Sequence, residues 1–246
     1  MNPKVSFVIP AYNEETLLPA CLAAIQAEIS RTGCSAQIIV VNNASTDRTA
    51  EVAASVAGVV VVHEPVKGLV AARSAGFEAS SGELVANIDA DTLIGPGWLA
   101  QVIAEFGEKP GLVVLSGPYH YHDVPWRMRA ATELFYGMGY AAYLFNKKVL
   151  GVGSMVQGGN FIVKRDALAS IGGISNKFTF YGEDTDIARR MSKVGDVVFT
   201  YALRAKSSGR RLRGDGLIIT GVRYGANYVW ATFFGKPFTT AWNDYR

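Results

Sequence analysis

The stretch at residues 83–98, ELVANIDADTLIGPGW, decides how the chain is read. Residues 84–88 read as a short buried strand, and they lead directly into two carboxylates, Asp89 and Asp91, one residue apart. Alternate side chains of an extended backbone share a face. Both acids should therefore project together past the carboxyl edge of a sheet, where open α/β folds bind ligands. Gly95 and Pro96 punctuate the chain, and Leu99, Val102, Ile103 and Phe106 then repeat at helical spacing. Neighbouring carboxylates repel unless a cation lies between them or water screens them. Taken alone, the pair fits either a divalent metal with oxygen ligands or a solvated turn that caps a helix.

Upstream of this stretch the pattern repeats. Residues 5–9 are a continuous apolar run ended by Pro10, and a helix follows with Asn13 as its expected cap and Leu18, Cys21, Leu22, Ile25 and Ile29 as its buried stripe. Residues 37–41 read as a second strand running into the polar segment 42–47, where Ser45 or Asp47 should cap the next helix. A third strand at 59–62 precedes Pro65, Lys67 and Gly68, and a helix at 69–80 returns the chain to residue 84. This alternation predicts an α/β fold with a single doubly wound, mostly parallel sheet flanked by helices and right-handed crossovers. It also predicts that residues 10–14, 42–47 and 89–91 meet in a crevice at one edge. A dinucleotide site is set aside, because no G-x-G-x-x-G follows the first strand.

With 246 residues, 49% of them hydrophobic, and no repeat or low-complexity tract, the chain reads as one domain. Its expected parts are a first half at 1–115, a second at 116–200, and a C-terminal extension of basic loop and amphipathic helix at 201–246. A net charge of +3 without a basic stripe interleaved with aromatics argues against nucleic acid as a partner. Cys21 falls on an apolar helix face and Cys34 is the only other cysteine, so a structural disulfide is not expected and a reducing, cytoplasmic location is. The amino terminus lacks the pattern of a signal peptide. The nearest approach to a membrane span, residues 217–234, contains Arg223, Asn227 and two glycines and suits a protein surface or a bilayer interface better.

Five blocks in order carry a resemblance: VSFVIPAYNEE from residue 5, VVNNASTDRTAEVA from 40, GLVAARSAGFEASSGELVANIDADT from 68, QGGNFIVKRDALASIGGI from 157 and YGEDTDIARRMSKVG from 181. Over roughly residues 4–200 the chain resembles the family 2 glycosyltransferases, inverting enzymes of the A-type glycosyltransferase fold that use nucleotide sugars. The resemblance implies that Pro10, Ala11, Tyr12 and Glu14, with Asn43, hold the nucleoside. The second motif usually begins with an Asp pair and reads Asn42-Asn43 here; an Asn amide can still both accept from and donate to uracil. As residues alone, 42–47 equally describe a turn and helix cap.

Lys67 and Arg73 match basic positions near the nucleotide. Arg73 lies on the same helical side as Leu69, and a buried arginine needs an anion, either Asp89 or a pyrophosphate. The resemblance makes Asp91 the main ligand of Mn²⁺ or Mg²⁺, with Asp89 and Ala90 beside the ribose or a metal-bound water. Many relatives add a late histidine ligand, but no histidine follows His122. His120, His122 and Asp123 resemble a metal cluster on paper, and alternation would put both histidines on one strand face; they read as surface or acceptor-cleft residues. Gly158, Gly159 and Asn160 correspond to the sugar-side segment. Asp184 corresponds to the catalytic base, with Glu183 beside it. By spacing, Asp184 shares a helix face with Ile187, Met191 and Val194, and position alone is equally consistent with a helix cap.

After Phe199 the resemblance fades, and the Q-x-x-R-W motif of processive relatives is absent. The basic segment 207–213, with Arg210 and Arg211, reads as a loop that closes over the diphosphate, binds a phosphate-bearing acceptor or lipid headgroups, or is simply solvated. The aromatic segments 126–145 and 224–238 read as amphipathic helices on the acceptor side, or as contacts in a homodimer or at a membrane surface. The expected function is metal-dependent, inverting transfer of one sugar from a nucleoside diphosphate sugar, UDP by preference, to a hydroxyl of a glycan or lipid-linked acceptor in polysaccharide assembly. The alternatives are a catalytically silent sugar-nucleotide-binding subunit and a nucleotidyltransferase.

Overall fold

The computed structural model describes residues 3–151 and 155–239. In chain order its elements are β1 (Val5–Ala11), α1 (Leu18–Thr32), β2 (Ala36–Asn43), α2 (Thr49–Ala54), β3 (Val59–Glu64), α3 (Leu69–Ala79), β4 (Leu84–Ile88), β5 (Thr92–Ile94), α4 (Trp98–Glu108), β6 (Leu112–Ser116), β7 (Tyr119–Tyr121), α5 (Trp126–Phe145), β8 (Asn160–Lys164), α6 (Arg165–Ser170), α7 (Glu183–Met191), β9 (Asp196–Phe199), β10 (Ala205–Ser207), α8 (Arg210–Asp215) and α9 (Leu217–Phe234). Residues 1–2 of the amino terminus and residues 240–246 of the expected C-terminal extension lie outside the described residues.

The main sheet has seven strands in the order β3-β2-β1-β4-β8-β6-β9. Every neighbouring pair is parallel except the two made by β8, which runs against both β4 and β6. β1 and β4 are buried along their whole length because both faces are covered, and alternate residues serve opposite layers. Phe7, Ile9, Val40 and Ala86 pack with Leu18 and Leu22 of α1 and Leu99 of α4. Val8, Ile39, Val41 and Val85 pack with Ala72 of α3 and with Ile187 and Met191 of α7. Gly76 marks how closely α3 lies on the sheet, since a Cβ there would come 2.2 Å from Val8 Cγ1.

Chain order reverses at β1, with β2 on one side and β4 on the other. The pairing of β1 with β4 ends at Val8↔Asn87, whereas its pairing with β2 continues to Ala11↔Asn42. The strands separate there, and a crevice opens at the carboxyl edge. Because β8 is antiparallel, Asn160 pairs with Ile88, so β8 starts where β4 stops. A smaller sheet, β5-β10-β7, was not foreseen from the sequence. Three local expectations also fail. Pro10 does not end β1, which continues one residue further against β2. Asn13 does not cap α1, which begins after Leu17 with Pro19 in its first turn; Asn13 has φ of 50°, and its side-chain carbonyl instead accepts the Thr46 N–H at 2.9 Å. The segment 207–213 is not a plain loop, since Ser207 belongs to β10 and Arg210 opens α8.

Candidate active site

The first wall is made by two loops bound to each other. Beyond β1 and β2, the Glu14 N–H donates to Thr49 Oγ1 at 2.8 Å and the Glu15 N–H to Asp47 Oδ2 at 3.1 Å. Asp47 Oδ1 also accepts the Thr49 N–H at 2.9 Å and so joins the loops, but the N-cap of α2 is Arg48 without a side-chain cap, and neither Ser45 nor Asp47 takes the expected capping position. A groove of about 30 Å³ runs along this wall, lined by Pro10, Ala11, Tyr12, Asn43, Lys67 and Gly68 among others. The Lys67 ammonium lies 3.7 Å above the Tyr12 ring.

Asn43 faces the groove, but its amide is already engaged. It donates to Glu64 O at 3.2 Å and Val66 O at 2.7 Å and accepts the Gly68 N–H at 2.7 Å. The expectation that this amide reads a base edge is therefore corrected: Asn43 shapes the 64–68 loop, and its donors have no spare capacity.

The groove meets a cavity of about 460 Å³, and Leu69, Asp89 and Phe180 line both. Glu14, Asp89, Ala90, Asp91, Gly158, Gly159, Glu183, Asp184, Arg210 and Arg211 all line the larger space. Acids about ninety residues apart in sequence thus share one opening. Arg73, 1% exposed, sits behind them, donating to Asp89 Oδ1 at 3.0 Å and pairing with Glu183. Of the two anions open to it from sequence, the internal carboxylate is the one it meets. A buried arginine between two carboxylates ties the end of β4 to the start of α7.

Asp91 Oδ2 lies 3.0 Å from Arg210, whose guanidinium also binds Glu14, and Ser207 Oγ donates to Asp91 Oδ1 at 3.4 Å. Arg210 therefore supplies positive charge beside the acid implied as the metal ligand. Asp89 and Asp91 are hard oxygen donors at one rim, which suits Mg²⁺ or Mn²⁺. Among the described residues no group of three or more His, Cys, Asp or Glu forms a metal site. The two acids accordingly fit a cation that shares its remaining ligands with a substrate and water. Cys21 lies beneath them with its thiol 3.6 Å from Asp89 O; burial and the nearby carboxylates Asp91, Asp89 and Glu14 push the thiol's pKa far up.

Across the cavity, α7 opens after Gly182 in a left-handed conformation (φ 82°). Its first turn carries Glu183, Asp184 and Asp186. Glu183 and Asp186 are each 3% exposed, the first against Arg73 and the second bridged to Arg189 and Arg190 at 2.9 and 2.8 Å. Glu183 and Asp184 both line the cavity, and Asp184 is the partly exposed one. The predicted interior face needs correction here, because α7 ends at Met191 and Val194 is 46% exposed. Burial pushes the Asp184 carboxyl above the ordinary carboxylate range, although the Thr185 N–H, donating at 2.7 Å, and the charge of Arg73 act in the other direction. As the cap alone, this acid would titrate low.

Gly158 and Gly159 stand between the two acidic groups. A Cβ on Gly159 would come 2.1 Å from both Asp89 Cγ and the Tyr119 hydroxyl, and one on Gly158 would come 3.3 Å from Asp184 Oδ2. Asn160 belongs elsewhere and is removed from the sugar-side set. It is 0% exposed, accepts from Trp98 Nε1 at 3.0 Å, and donates to Gly117 O at 3.0 Å and Leu203 O at 2.7 Å.

On β7 it is Tyr119 and Tyr121 that line the cavity. His120 lies 3.7 Å from Glu133, outside that lining. Asp123 holds the start of α8, accepting the Gly209 N–H at 2.6 Å and the Ser208 hydroxyl at 2.8 Å and pairing with Arg213 at 2.9 Å. The reading of 119–123 by its histidines overlooked the tyrosines, although the same alternation carries both sets. Tyr136 was also missed; its hydroxyl accepts from the Tyr119 N–H at 3.2 Å and donates to Gln157 at 2.6 Å.

Residues 6–172, more than half of the chain, match the family described as Glycosyl transferase family 2. Residues 147–208 match that described as the N-terminal domain of galactosyltransferase. The uncharacterized glycosyltransferase Rv0539 of Mycobacterium tuberculosis is 40% identical over 129 residues, 52% of this chain and 56% of the relative. The undecaprenyl-phosphate 4-deoxy-4-formamido-L-arabinose transferase of Pseudomonas aeruginosa is 41% identical over 93 residues, 35% of this chain and 27% of the relative. The chain thus spans only part of the length of the curated relatives it matches. Among solved structures, the mannosyltransferase PcManGT of Pyrobaculum calidifontis, in complex with GDP-Man and Mn²⁺, has a TM-score of 0.70 at 19% identity, covering 96% of this chain and 64% of that one. Glucosyl-3-phosphoglycerate synthase of M. tuberculosis, in complex with Mn²⁺, UDP and phosphoglyceric acid, has a TM-score of 0.66 at 22% identity, covering 96% and 80%. Both likenesses are of fold.

Proposed function

The chain belongs to glycosyltransferase family 2, and from that premise we propose that it transfers one sugar from a UDP-sugar to a hydroxyl of a lipid-linked or glycan acceptor, with inversion. The observation that carries the proposal is the sharing of one cavity by Asp89 and Asp91 at one rim and Asp184 at the other. The nucleoside lies in the groove beside Tyr12. Lys67 moves off the Tyr12 ring to let the base stack. With the amide of Asn43 engaged, base recognition falls to the backbone of the two loops.

The diphosphate lies along Asp89–Asp91, with Arg210 turning from Glu14 and Asp91 toward it. Asp91 and Asp89 would hold Mn²⁺ or Mg²⁺, which would supply charge stabilisation for the departing nucleoside diphosphate. The sugar lies against Gly158 and Gly159. Asp184 takes the proton from the acceptor hydroxyl as its oxygen attacks the anomeric carbon, the new C–O bond forming as the bond to the diphosphate breaks. Its raised pKa suits a base better than a low-titrating cap would. Arg73 and Glu183 act as positioning residues that fix the two acidic rims relative to each other.

The acceptor space supports an amphiphilic substrate: Phe135, Met138, Met155 and Val229 give it an apolar wall, and Arg211, held 3.1 Å from the Tyr181 hydroxyl, gives it a cation. A relative named for undecaprenyl phosphate agrees with that chemistry. Calorimetric titration of UDP, GDP, CDP and dTDP, each with and without Mn²⁺, tests the donor side. UDP should bind most tightly and only with the metal; equal weak binding by all four would overturn the uracil assignment.

A further inference from the structure

Exposed apolar side chains are concentrated on one part of the molecule. Of the nineteen large hydrophobic residues exposed among the described residues, fifteen lie in segments 126–151 and 208–239, which contain α5, α8 and α9. They recur at matching helical intervals: Leu134, Met138, Phe145 and Val149 on and after α5, and Ile218, Val222, Val229 and Phe233 on α9. Exposure reaches 66% at Leu134 and 80% at Ile218. The two helices are linked by Asn146 Nδ2 donating to the Tyr228 hydroxyl at 2.9 Å. The catalytic cavity opens between them, because Phe135 and Met138 on α5 and Tyr224 and Val229 on α9 both line it and reach the surface.

Charge follows the same division. These two segments contain nine Lys and Arg and only two Asp and Glu, in a chain with 24 basic and 21 acidic residues. The remainder of the chain is therefore net acidic, and the apolar face is bordered by Arg127, Lys148, Arg213 and Lys236, all exposed. Aromatic and aliphatic groups bordered by lysine and arginine match the headgroup region of an anionic bilayer. No helix among the described residues is long and apolar enough to cross a membrane.

We propose that the α5–α9 face docks on the surface of an anionic lipid bilayer, with the apolar stripes in the headgroup–acyl boundary and the cavity mouth facing the membrane. Docking itself does not depend on the proposed sugar transfer; only its use, delivery of an acceptor from the bilayer into the cavity, rests on that reading.

Flotation with vesicles of phosphatidylcholine alone, or of phosphatidylcholine and phosphatidylglycerol in equal parts, tests the proposal. The protein should bind the anionic vesicles at least about tenfold more than the neutral ones, and less as salt is raised. Ile218→Ser with Val222→Ser should abolish binding at every salt concentration, and Arg127→Gln with Lys148→Gln should weaken it several-fold only at low salt. None of these side chains lines the cavity, so melting temperature and UDP titration should match the wild type, and those two readouts separate lost docking from misfolding or from failure of the glycosyltransfer reading. Absence of binding to anionic vesicles, or wild-type binding by both double variants, would overturn the proposal. So would a dimer in sedimentation velocity that the Ile218→Ser, Val222→Ser variant dissociates, since a second copy would then cover the face.

Discussion

Asp184 and Glu183 are neighbours in sequence and opposites in environment. Both line the cavity, but Glu183 is buried against Arg73, whereas Asp184 is partly exposed and has its pKa raised mainly by burial. A carboxylate with a raised folded-state pKa lowers stability as pH rises from the unfolded carboxyl range through the folded value, because the folded state binds the proton more tightly. Asp184→Asn should therefore raise the melting temperature at pH 7, and the gain should disappear at pH below the ordinary carboxylate range; a melting series across pH checks this. Arg73→Ala works in the other direction. It leaves Glu183 buried without its cation and should cost about 3–5 kcal/mol, measured by urea unfolding. Residue type was legible from the sequence at these positions, but partnership was not. Asn43 and Asn160 sit at strand ends as polar ligands would, yet carbonyls of their own chain take their amide donors. Those carbonyls come from segments distant in sequence, and no local pattern announces them.

At the scale of elements, the rhythm of strand and helix over residues 5–88 was readable because β1 and β4 are buried along their whole length and α1 has a periodic stripe. The direction of β8 was not, because a five-residue strand carries no mark of orientation. That direction is what brings Gly158 and Gly159 beside Asp89. The sheet β5-β10-β7 escaped notice for a related reason: strands of three residues carry no mark of the strands they pair with, even where alternation is legible, as on β7. The close packing where β4 and β8 meet gives a direct test. Gly159→Ala inserts a methyl where Asp89 and the Tyr119 hydroxyl already lie, which should destabilise the protein by about 1–3 kcal/mol and displace Asp89. Donor turnover should then fall more than stability does. A variant with wild-type activity and melting temperature would show that the loop moves aside freely.

Across the whole molecule, the two halves of the site come from the middle of the family-matched region and from beyond its end: the acidic pair follows β4, Asp184 opens α7, and Arg210 arrives from α8. Sequence order gave the first two by resemblance, while the contact of Arg210 with Glu14 and Asp91 depends on Asp123 and β10 holding α8 over the crevice. In the proposed reaction these parts have separate tasks, so they should fail separately. The most direct test is titration of UDP with Mn²⁺ into the wild type, Asp91→Asn and Asp184→Asn, alongside release of sugar from a UDP-sugar in the presence of acceptor. Asp91→Asn should weaken UDP binding by at least about tenfold. Asp184→Asn should bind UDP as the wild type does and lose about 10²–10⁴-fold in transfer. Retention of metal-dependent UDP binding by Asp91→Asn, or its loss in Asp184→Asn, would contradict the division of labour on which the proposed reaction rests.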